Sequence, residues 1–87
     1  MAELPENIRL TSHARKRMRE RAISETLISE ALQEPTKTER DARGRVLFKK
    51  MYARRGKKRL LLLAAEREGD GWCIVTVIDT TKIKKYL

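Results

Sequence analysis

The chain has 87 residues, with 21 Lys plus Arg against 12 Asp plus Glu, which leaves a formal charge of +9 with its one His neutral. At this length about 60% of the unfolded surface can be buried, so there is room for one small core, and two-domain enzymes and barrel folds of about 250 residues are excluded. So large a positive excess points to a polyanionic partner, nucleic acid ahead of a membrane surface, because no segment joins a basic face to a wide, bulky apolar one.

Residues 1–9 read as a lead-in with Pro5 and little periodicity. Met1–Glu6 lacks the charged and apolar regions of a signal peptide, and no strongly apolar stretch is long enough to span a bilayer, so a cytoplasmic protein is expected. Thr11 or Ser12 supplies an N-cap for a helix over 12–21, in which Leu10, Ala14, Met18 and Ala22 recur at intervals of four beside Arg15, Lys16, Arg17, Arg19 and Arg21. Ser24 caps a second helix, Ile23 staples onto Ile28, and Leu27, Ile28, Ala31 and Leu32 form its buried stripe. Pro35 disfavours helical geometry in Glu34 and stops it there.

Beyond Thr36 the helical period disappears, and Thr36 to Arg40 offers at most a short edge strand. Gly44 opens a strand over 45–52 with Val46 and Phe48 on one face and Arg45, Leu47, Lys49 and Met51 on the other. Arg54-Arg55-Gly56-Lys57-Lys58 reads as a basic hairpin connection, and the apolar run Leu60–Ala65 lies between two turn signals, which favours a central strand over a helix. Trp72–Asp79, rich in β-branched residues, is the next strand. Residues 80–87 form a basic tail that Ile83, Tyr86 and Leu87 pin to the body. The order gives a single α+β domain: two N-terminal helices packed on a three- to four-stranded antiparallel β-sheet.

The charge is uneven. Residues 9–21 hold six Lys or Arg and one acid, and residues 43–59 hold nine and no acid, whereas residues 22–36 hold Glu25, Glu30 and Glu34 and no Lys or Arg. One His and one Cys far apart make no zinc set, no acidic cluster offers oxygen ligands to magnesium, and no glycine loop precedes a helix to cradle phosphate. No metal or cofactor is therefore expected, and Cys73, without an intrachain partner, is expected to pack as a small hydrophobe. Spacing by four sets His13, Arg17 and Arg21 along one helical face. A group that exchanges protons near neutral pH then stands beside two guanidinium forks suited to phosphate. RNA brings its own nucleophile, the 2′-hydroxyl, so its cleavage needs only a base, an acid and positive charge on the crowded phosphate. The alternative is that His13 merely begins a helix with a solvated basic face.

The string His13-Ala14-Arg15-Lys16-Arg17-Met18-Arg19-Glu20-Arg21-Ala22-Ile23-Ser24 resembles the motif H-A-x-x-R-M-x-E-R-x-I-S of a family of small bacterial and phage domains of unknown function. Ile74-Val75-Thr76-Val77 and the tail Thr80-Thr81-Lys82 resemble its ending, so the likeness covers most of the chain. That family is similar to the RelE and barnase-type toxin ribonucleases, whose plan is one or two helices followed by an antiparallel sheet. The resemblance implies a metal-independent endoribonuclease of toxin type and, if so, a separate acidic antitoxin chain over the basic face. Position by position it marks His13, Arg17, Glu20, Arg21 and Thr76; Ala22 departs from it, standing where glycine is common between the helices.

The expectation is then that His13 acts as general acid or base, that Arg17 and Arg21 hold the scissile phosphate, and that Thr76 orients His13 or the phosphate. Glu20 is either a second proton-transfer group or an ion-pair partner of Arg17 or Lys16. Arg45, Lys49, Lys57, Lys58 and Lys82 would track the RNA backbone. Two alternatives come from other classes: a non-catalytic nucleic-acid-binding module, and a protein-interaction domain whose basic face docks an acidic partner.

Overall fold

The computed structural model describes Leu4 and residues 7–87. Of the expected lead-in, residues 1–3 and 5–6 lie outside the described residues, while Ile8–Leu10 forms a strand, β1. Helices α1 (Ser12–Arg21) and α2 (Glu25–Gln33) follow, then β2 (Lys37–Arg40), β3 (Val46–Arg54), β4 (Lys57–Glu68), β5 (Gly71–Thr80) and a last turn of helix, α3 (Ile83–Tyr86).

Both long helices begin where a side chain satisfies a free amide. The Ala14 N–H donates to the hydroxyl of Thr11 at 3.0 Å, and the Leu27 N–H to that of Ser24 at 3.1 Å. Leu10, Ala14 and Met18 are buried as the interval of four requires, but Ala22 is exposed. Its backbone turns left-handed (φ 53°, ψ 46°), ending α1 and bringing Ile23 into the core instead. The two C-termini are secured from one strand: on β3 the Lys50 ammonium donates to the carbonyl of Glu34, and the Arg54 guanidinium to those of Arg21 and Ala22. Cations at these positions also suit the negative end of each helix dipole.

The sheet has five strands in the order β1-β5-β4-β3-β2, all neighbours antiparallel except β1 and β5, which run parallel. The α+β class stands; the expected order of helices followed by strands is corrected by β1, which precedes α1, and the expected three- to four-stranded antiparallel sheet is corrected to a five-stranded mixed one. The expected edge strand is β2, and the added strand is β1, which inserts beside β5 through pairs such as Leu10 with Ile74.

Register divides the side chains between two faces. Leu61, Leu63 and Ala65 of β4 share the helix-covered core with Phe48, Ile74, Val77, Ala14, Met18, Ile28 and Ala31. Between Ala64 and Ala65 the partner shifts from Thr76 to Ile74, leaving Val75 as the extra residue of a bulge. The other face carries Leu60, Leu62, Ala64 and Cys73, also buried. Burial on both faces is why the run Leu60–Ala65 is uniformly apolar rather than alternating. The Lys37 ammonium donates to the carbonyl of Leu87 at 2.9 Å, tying the tail to β2. Among the described residues no helix is long and apolar enough to cross a membrane.

Candidate nucleic-acid interface

His13 stands in the first turn of α1, exposed, with no side-chain hydrogen bond or ion pair to any described residue. Arg17 follows one turn on, 3.9 Å from Glu20, and Arg21 ends the helix, exposed. Both members of the Arg17–Glu20 pair are more than two-fifths exposed, so the pair adds little stability and leaves Arg17 free to exchange partners. At 1.5 Å per residue, His13 and Arg21 lie about 12 Å apart along the axis.

Thr76 does not join them. It pairs with Ala64, and the adjacent pair Leu63 with Val77 faces the helices. Alternation therefore turns the Thr76 side chain to the opposite face of the sheet, with the β5 backbone between it and α1. The expectation that Thr76 orients His13 is corrected accordingly.

The expected backbone-tracking cations also separate. Lys49 is buried (5% exposed) on the face away from the helices and ion-paired to Glu39 at 3.0 Å, so it is a structural group rather than a surface contact. Glu39, bonded first to Lys37 and then to Lys49, has its carboxyl held below the usual range. Arg45 pairs with Glu66 at 3.1 Å on the same face. Lys58 is exposed and, pairing with Ala53, points to that face too. Lys82 is exposed within the tail, its amide donating to the Thr80 hydroxyl. Only Lys57, opposite Arg54, lies on the helix side.

There it belongs to a cluster that the sequence shows only in part. The β3–β4 turn is Arg55-Gly56, and Ala22, Arg54, Arg55, Lys57 and Arg59 line an open cleft of about 600 Å³. Arg54 bridges this cleft to the end of α1 and lies 5.7 Å over the ring of Tyr52. The Tyr52 hydroxyl donates to Asp79 Oδ1. The Asp79 side chain is only 2% exposed and also receives Arg59, whose Nη2 lies 2.8 Å from Oδ2. Burial, and next the bond to Asp79, push the Tyr52 phenol above its ordinary pKa, so the ring stays a neutral donor; the same carboxylate raises the pKa of Arg59 further. The run Arg54–Arg59 signalled a basic turn, but Asp79 is reached only by pairing across β4, which local pattern does not show.

Basic groups on α1 and on the β3–β4 turn thus meet at the C-terminal end of the helix. The stripe His13, Arg17, Arg21 leads into the cleft of Arg54, Arg55 and Lys57, an arrangement able to hold successive phosphates of one strand. Among the described residues no group of three or more His, Cys, Asp or Glu gathers in space. The family described as Domain of unknown function (DUF4258) matches residues 10–86, from the end of β1 to the last residue of α3. No curated protein and no solved structure matches the chain.

Proposed function

The chain belongs to the DUF4258 family, whose function is unknown, and we propose that the protein binds RNA along α1 and cleaves it without a metal, in the manner of RelE and barnase-type toxin ribonucleases. The observation that carries this reading is the free, exposed imidazole of His13 in line with Arg17 and Arg21, on a stripe that ends in a second basic cluster. The 2′-oxygen attacks the adjacent phosphorus, a new P–O bond forms and the bond to the 5′-oxygen breaks, leaving a 2′,3′-cyclic phosphate and a 5′-hydroxyl. One proton leaves the 2′-hydroxyl and one reaches the 5′-oxygen; His13 carries one of these transfers, Arg17 neutralises the reacting phosphate, and Arg21, about 12 Å from His13 along α1, holds a phosphate further along the strand. Glu20 serves as the partner of Arg17. An acidic antitoxin chain would cover the same face by charge complementarity.

A second reading, binding without chemistry, is favoured by the position of Thr76, which leaves His13 without the partner that the resemblance implied. One experiment separates the two: incubate RNA with the native chain and with His13→Ala in EDTA, and measure cleavage and binding together. Cleavage is expected to fall about 10²- to 10⁴-fold in the variant, with binding retained. Binding with no cleavage by the native chain selects the second reading, and cleavage unchanged in the variant removes His13 from the mechanism.

A further inference from the structure

We infer that the cleft at the β3–β4 turn is a phosphate subsite, one that takes a phosphate of the bound strand remote from the one beside His13. The inference rests on the RNA reading above for the identity of the strand, and on the cleft alone for its chemistry. Its cations are not equivalent. Arg54 spends both of its terminal nitrogens on the carbonyls of Arg21 and Ala22, at 2.9 and 2.8 Å. It thereby covers the negative end of α1, which would otherwise repel an anion there. Arg59 uses Nε and Nη2 on Asp79, which fixes the guanidinium and leaves Nη1 without a bond to any described residue. Arg55, in the two-residue turn, and Lys57, directly after it, stand exposed. Two oriented guanidinium groups and two solvated cations thus line the cleft.

Against Arg54, Arg55, Lys57 and Arg59, Asp79 is the one carboxylate bonded within the cluster, and Arg59 and Tyr52 already hold it. The remaining donors suit a compact anion with several oxygens and more than one charge, which is a phosphate group rather than a lone carboxylate. Arg21 lies about 12 Å from His13 along α1. With a rise of about 3.4 Å per nucleotide, a stacked strand following the helix would put the cleft roughly three nucleotides from the reacting phosphate. The cleft would therefore fix the register of the RNA without touching the bond that breaks.

The neighbour Lys58 provides the control, since its removal changes net charge equally but it points to the opposite face. Inorganic phosphate and pyrophosphate are titrated into the full chain, following backbone amide shifts, for the native protein and for Arg55→Gln, Lys57→Gln and Lys58→Gln. The shifts are expected to centre on residues 54–59, with affinity falling roughly 3- to 5-fold in each of the first two variants and unchanged in the third. For single-stranded RNA, Lys57→Gln should lower the salt-dependence slope by about 0.7 and Lys58→Gln leave it as it was. Equal weakening by Lys57→Gln and Lys58→Gln would show only diffuse charge and overturn the subsite while leaving RNA binding intact. Selective loss of phosphate binding in a chain that binds no RNA upholds the subsite and removes the RNA reading instead. No shift in the native chain with either probe overturns the inference.

Discussion

Tyr52 on β3 and Asp79 on β5 are joined by a hydrogen bond across β4, the strand that lies between theirs. Arg59 of β4 completes the bridge, so three strands are tied together at the end of the sheet that forms the cleft. Because the Asp79 side chain is only 2% exposed, its replacement leaves a guanidinium and a phenol underpaired where water enters poorly. Asp79→Asn should destabilise the fold by about 2 kcal/mol and Tyr52→Phe by about 1 kcal/mol. Urea unfolding should show lowered midpoints at an unchanged slope, and a midpoint unmoved by Asp79→Asn would mean that the bridge does not stabilise the sheet.

The same bond predicts an alkaline dependence. Burial, then Asp79, raise the Tyr52 phenol above its ordinary value of 10.0, so the neutral form is the one favoured by folding. A group whose pKa is raised on folding contributes stability that is whole below its unfolded value and is lost as pH climbs through the folded one. Above about pH 10 the native protein should therefore lose its advantage over Tyr52→Phe. A constant gap between the two proteins from pH 9 upward would show that the phenol does not titrate against Asp79.

Ala22 ends α1 in a backbone conformation that favours glycine. Its φ of 53° and ψ of 46° lie in the left-handed region, where a Cβ costs roughly 1–2 kcal/mol, and its side chain is exposed and packs nothing. Part of that cost returns as the greater freedom of glycine in the unfolded chain. Ala22→Gly should stabilise by about 0.5–1 kcal/mol and raise Tm by about 3–5 °C. A lowered Tm would mean that the turn tolerates the methyl without strain.

Gly71 is required for the opposite reason, because there is no room. A Cβ built at this position would lie 1.7 Å from the Asn7 carbonyl oxygen, which accepts the Trp72 N–H at 3.0 Å. The obstacle is backbone, so it cannot rotate away. Gly71→Ala should cost about 2–3 kcal/mol and loosen β1 from β5. Hydrogen exchange checks this: amides of Ile8–Leu10 should lose protection, whereas those of β3 should keep their order relative to the global stability.

These positions show where local pattern carries information and where it stops. Caps at Thr11 and Ser24, the break before Pro35 and the Arg55-Gly56 turn are written in neighbouring residues, and both helices and three hairpin-ordered strands follow from them. Strand β1 is three residues long and pairs with a segment more than sixty positions away, so neither length nor alternation reveals it. Thr76 sits next to the β5 bulge, and its face is set by register with β4 rather than by its neighbours. Lys49 looks like any lysine in a basic run, yet Glu39 on the adjacent strand meets it inside the sheet. Of the candidate site, the α1 stripe was legible because helical spacing is local. The Tyr52, Asp79 and Arg59 bridge was not, because it is made by three strands.

Arg55 places stability and binding in opposition. It is the first central residue of the two-residue turn between β3 and β4, and both it (φ 52°) and Gly56 (φ 78°) take positive φ, the pattern in which Asn-Gly is strongly preferred. Arginine gains nothing from that backbone and makes no hydrogen bond or ion pair to a described residue, and its exposed charge lines the cleft proposed above as a phosphate subsite. Arg55→Asn should raise stability by about 0.5–1 kcal/mol in urea unfolding while weakening phosphate binding several-fold, two changes of opposite sign from one substitution. A variant that merely distorted the hairpin would lose both together. A gain in stability with phosphate affinity intact would remove Arg55 from the subsite and leave its charge unexplained.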